Sequence, residues 1–113
     1  MKTYVELECD NVNVISEKIY QFLSINKLNV GWNFLDTKEL LKAVPEVNDF
    51  FLKYKLYVRQ ASVTLATDNQ SLPLHLDTLP MIAKINFPVI NTQGWVNRWY
   101  SINHNVVANC PLV

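Results

Sequence analysis

Two residues in this chain have the types and the spacing to share one ligand. His75 and Asp77 are separated by Leu76 alone. Side chains two positions apart on a β-strand project to the same side. On a strand, then, the imidazole and the carboxylate face one way, while Leu72, Leu74 and Leu76 face the other. On a helix the same two would diverge by about 200°, at 3.6 residues per turn. An imidazole beside a carboxylate supplies two of the three donors of the 2-His-1-carboxylate triad, which holds non-haem iron(II) and leaves positions open for substrates. The alternative is an ordinary hydrogen-bonded pair, and the residues by themselves leave both open.

The stretch from Met81 to Asn91 is expected to be a long strand with two unlike faces. Ala83, Ile85, Phe87 and Val89 form an apolar face; Lys84 and Asn86 lie on the other with Ile82, Pro88 and Ile90. If that second face looks into the same enclosed space as His75 and Asp77, Lys84 offers an ammonium to an organic acid's carboxylate and Asn86 a polar orienting contact. A buried lysine needs such a partner. Pro88 leaves room for a solvated face instead, since proline in a sheet favours an edge or a bulge.

Other constellations carry less chemistry. Ser71, His75 and Asp77 include the residue types of a hydrolytic triad, but they crowd one short segment with no nucleophile-elbow motif. Asp36, Glu39 and Glu46 fall at helix starts, where acidic groups complement the helix dipole. Arg98, Trp99 and Tyr100 have the types that stack on a base, yet no basic patch surrounds them, and they are expected as sheet residues. His104 is read as a tail residue rather than a third metal ligand. With 2 glycines in the whole chain, a Gly-rich phosphate loop is absent.

The elements that must position these residues change character near position 55. Thr3 to Glu8 alternates weakly and predicts a short strand. Asp10 or Asn11 is placed to cap a helix, and Val12, Ile15, Ile19, Phe22 and Leu23 follow helical spacing to about Ser24. Val30 to Leu35 predicts a short extended piece with Trp32 and Phe34 on one side. Asp36-Thr37-Lys38-Glu39 resembles a capping box and predicts a helix over Thr37 to Val44. Pro45 suits the first turn of the next helix, whose stripe is Val47, Phe50, Phe51 and Tyr54; these aromatics are expected as core. From Leu56, the sequence LYVRQASVTLAT is rich in β-branched residues and predicts a strand. Asp68 to Ser71 is a turn, Leu72 to Asp77 a short strand, Asn91 to Gly94 a hairpin connection, and Trp95 to Ile102 the last strand. The tail from Asn103 is weakly patterned.

Pro73-Leu74-His75-Leu76-Asp77, then the strand-like IAKINFPVIN, then WVNRWY together resemble the first half of the double-stranded β-helix of cupin-like, iron(II)- and 2-oxoglutarate-dependent oxygenases. In that group the H-x-D lies at a strand end, a strand of the N-x-P-x-x-N kind follows, and an aromatic-ended strand such as Gly94 to Tyr100 comes next. The resemblance covers roughly residues 56 to 102. It implies His75 and Asp77 as metal ligands and Fe(II) and 2-oxoglutarate as cofactors; Lys84 and Asn86 are the co-substrate contacts that the strand-face reading above would supply. It also implies a jelly-roll barrel. The family further needs a distal histidine followed by a basic residue. The other histidine here, His104, stands 27 residues after Asp77, and no Arg or Lys follows it. Three expectations fit that departure: a fragment of a longer protein, a barrel completed by a partner chain, or a fold that has lost its chemistry.

Composition bounds the rest. The 113 residues predict one domain of α+β class, with 1–54 mainly a helical lead-in and 55–113 a β portion forming an incomplete barrel. Ten basic and ten acidic residues give a net charge of zero, which excludes the clustered basic excess of a nucleic-acid binder and favours self-association. No apolar run approaches the roughly 20 residues of a membrane span. The start of the chain lacks an apolar signal region, so a cytoplasmic location is expected, with Cys9 and Cys110 as two thiols and Asn69-Gln70-Ser71 an unused sequon. Two functional readings follow. One is an oxygenase-type barrel segment, not active as this chain alone. The other is a non-catalytic cupin-like binding or structural module, homo-oligomeric. A metal-dependent hydrolase or isomerase of the cupin type is a more distant third, because cupins host several chemistries.

Overall fold

The core of this protein forms where three helices meet. The computed structural model describes residues 4–67, 84–90, 96–100 and 106–111. Among these residues the order is α1 (Val12–Ser24), β1 (Gly31–Phe34), α2 (Thr37–Ala43), α3 (Pro45–Lys53), β2 (Ser62–Leu65), β3 (Val96–Tyr100) and β4 (Val106–Pro111).

Helix α1 forms over the stretch its apolar spacing dictates. Ile15, Ile19 and Leu23 recur every four residues and are buried on one face. Its start differs from expectation. Asn11 is the N-cap, but its side chain does not bond the helix's amides; its Oδ1 instead accepts from the Cys9 thiol at 3.3 Å. Helix α2 has the expected cap: Asp36 Oδ1 accepts from the Glu39 backbone N–H at 3.2 Å. Pro45 opens α3, where its missing N–H costs nothing.

The end of α3 explains why the chain does not run straight into a strand. Lys55 N–H bonds the Leu52 carbonyl at 2.9 Å and Leu56 N–H reaches back to Phe51 at 3.0 Å. Those two bonds are the Schellman closure, in which the residue between normally takes a left-handed backbone. Lys55 does so, at φ +58°. The chain therefore turns sharply, and of the expected strand from Leu56 to Thr67 only Ser62–Leu65 is paired.

Ile15, Ile19, Leu23, Leu40, Val44 and Val47 make one buried cluster, contributed by all three helices and the junction between α2 and α3. Phe22, Leu35, Phe51, Val58, Ala61, Val63, Phe87 and Val89 pack on it half-buried. Phe50 is buried too, and its ring meets those of Tyr54 and Phe87 edge-on at 5.4 and 5.5 Å. The expected aromatic stripe is thus core, save that Tyr54 lies at its rim, exposed.

The strands form two separate antiparallel ribbons. β1 pairs with β2, Trp32 opposite Thr64 and Phe34 opposite Ser62. β3 pairs with β4, with an irregularity between Trp99 and Tyr100. A closed barrel is not among the elements of the described residues; the coarse expectation of mixed helices and strands holds. Three local expectations are corrected. Residues 4–9 form no strand, and Val5 and Leu7 are exposed; Tyr4 is tied instead by its hydroxyl, which donates to the Asn109 carbonyl at 2.8 Å. Residues 84–90 form neither strand nor helix. Pro88 has no N–H to give a ladder, and its carbonyl is taken by the Ser16 hydroxyl at 2.7 Å. The weakly patterned tail contains a strand, β4. The expected turn at Asp68 to Ser71, strand at Leu72 to Asp77 and connection at Asn91 to Gly94 lie outside the described residues.

Candidate functional site

Segment 84–90 follows the H-x-D pair in sequence, and two adjacent residues, Phe87 and Pro88, fasten it to the helices. The Ser16–Pro88 hydrogen bond fastens it to α1. The Phe87 ring, packed edge-on to Phe50 at an interplanar angle of 69°, fastens it to α3. The alternation read from the sequence survives without a ladder. Ile85, Phe87 and Val89 are half-buried, whereas Lys84 and Asn86 are exposed. The two candidate co-substrate contacts thus share one side, and that side faces solvent. His75, Asp77 and His104 lie outside the described residues. Among the described residues no group of three or more His, Cys, Asp and Glu is arranged to hold a metal ion. Cys9 and Cys110 are both half-buried thiols.

An open cleft of about 320 Å³ lies between the start of α1 and the body of α3, lined by Cys9, Asp10, Asn11, Glu46, Asp49, Phe50 and Lys53. Its most constrained group is Glu46. Glu46 Oε2 accepts from the Lys18 ammonium, while Oε1 is buried without a hydrogen-bond partner. The Lys18 hydrogen bond, helped by Glu46's own backbone N–H, holds this carboxyl below the ordinary glutamate range. Reading Glu46 only as a complement to its helix dipole missed this partner. The two residues are 28 positions apart, and no local spacing announces the contact.

The β1–β2 ribbon presents the most distinctive surface. Strand alternation sends Trp32 and Phe34 to one side, and they are 44% and 71% exposed. Val63 on β2 and Ala61 just before it pack on the core instead. Asn33 holds the approach to β1 in shape. Its amide Nδ2 donates to the Asn29 carbonyl at 2.7 Å and its Oδ1 accepts from the Asn29 N–H at 2.8 Å. Between them Gly31 takes φ +100°, a backbone that L side chains rarely adopt. None of the eight paired residues, Gly31 to Phe34 and Ser62 to Leu65, is charged. Exposed ribbons are ordinarily guarded by lysine, proline or inward charges, and this one carries none of them. The sequence had set Trp32 and Phe34 on a common side, but not whether that side met the core or the solvent.

Among the described residues no helix is long and apolar enough to cross a membrane. Compared with known proteins, the chain matches no family model, no curated protein and no solved structure.

Proposed function

We propose that this chain is a non-catalytic binding module that associates with a second copy of itself through the outward face of the β1–β2 ribbon. The observation that carries the reading is an uncharged ribbon with Phe34 and Trp32 exposed on one side. The zero net charge of the chain favours the same occupant, since copies of a neutral protein approach without net repulsion. A twofold contact uses the same patch on both copies, so Phe34 meets its own counterpart or a near neighbour. An interface built around two aromatic residues per copy belongs to the small class, below about 1,200 Å². Its association is therefore concentration-dependent rather than obligate.

Sedimentation velocity over a wide concentration range tests this. The native protein shifts from monomer towards dimer as concentration rises, and Phe34→Lys stays monomeric with an unchanged circular dichroism spectrum. A native chain that remains monomeric throughout, or a Phe34→Lys variant that dimerises equally well, overturns the reading.

The oxygenase reading rests on the H-x-D pair and its resemblance. Its support lies in the types and spacing of His75 and Asp77. Lys84 and Asn86 face solvent, which suits a solvated face better than an enclosed co-substrate site. His75 and Asp77 themselves lie outside the described residues. Metal analysis separates the two readings.

A further inference from the structure

We draw no further inference here: the strongest candidate, the cleft between the start of α1 and the body of α3 lined by Asp10, Glu46 and Asp49, is a cluster of carboxylates whose buried oxygen without a hydrogen-bond partner, Glu46 Oε1, sits on a side chain already paired with Lys18 and 22% exposed, so that nothing in the structure points to a ligand.

Discussion

Lys18 and Glu46 meet across the junction of α1 and α3, the ammonium donating to Glu46 Oε2 while Oε1 of the same carboxylate is buried. The contact joins the middle of one helix to the first turn of another, and both helices send apolar residues into one core. Its position, more than its strength, makes it informative, since partly exposed ion pairs contribute little on average.

The pair gives a pH dependence of definite sign. Glu46 titrates lower in the folded chain than in the unfolded one, because Lys18 hydrogen-bonds its charged form. Its contribution is present above the unfolded-state pKa and is lost as pH falls through the lower, folded value. Thermal midpoints recorded from neutral pH down into the acid range should therefore fall more steeply for the native chain than for Glu46→Gln. Parallel profiles would mean that the contact does not contribute to stability.

Lys55 holds a left-handed backbone at φ +58° that glycine adopts without strain. An L residue gives up about 1–2 kcal/mol in that region, and glycine gives back roughly 0.5–1 kcal/mol in extra unfolded-state freedom. Lys55→Gly should thus raise the unfolding free energy by up to about 1 kcal/mol. Gly31→Ala should lower it by a similar net amount, about 0.5–1 kcal/mol, since the strain is partly offset by the same unfolded-state freedom. The loss at Gly31 is conformational, since an added Cβ meets nothing within 4 Å. Urea denaturation midpoints for both variants check the pair.

Ile15 is fully buried in the cluster shared by the three helices. Ile15→Ala removes its packing and leaves a cavity, at a cost of about 2–5 kcal/mol. For a small domain that is a large part of the total stability. Ile25, 81% exposed just past α1, is the control, and Ile25→Ala should stay within about 0.5 kcal/mol. The same denaturation experiment reads both, and equal effects would contradict the placement of the core on this face of α1.

Metal content decides between the two functional readings. Protein purified after growth with added iron is expected to hold far less than one metal ion per chain, and His75→Ala and Asp77→Ala are expected to leave that content unchanged. Stoichiometric iron lost in both variants would restore the oxygenase reading. Turnover of 2-oxoglutarate would then distinguish it from other cupin-type metal chemistry.

The elements that were legible in the sequence are those whose evidence is local. Val12 to Leu23 carries its own helical period, Asp36 stands three residues before Glu39 in a cap, and Pro45 marks a helix start. Each of these signals acts within about one helical turn. The ribbons were less legible because a strand is completed by a partner. β4 was hidden in a tail with little alternation and becomes a strand by pairing with β3. Segment 84–90 alternates like a strand, yet Ser16 takes the Pro88 carbonyl and the segment stays outside any ladder. The candidate ligands His75 and Asp77 rest on sequence alone, since they lie outside the described residues.

By itself the sequence determined the three helices, the apolar positions that fill their shared face, and the alternation that separates Phe87 from Lys84 and Asn86. Periodicity and capping act between near neighbours, so they are written directly into residue order. Tertiary structure alone decided that Glu46 meets Lys18, that Val63 turns to the core while Phe34 turns to solvent, and that Pro88 is bound to Ser16. Those outcomes depend on which distant surfaces bury the most apolar area together, a property of the folded chain as a whole.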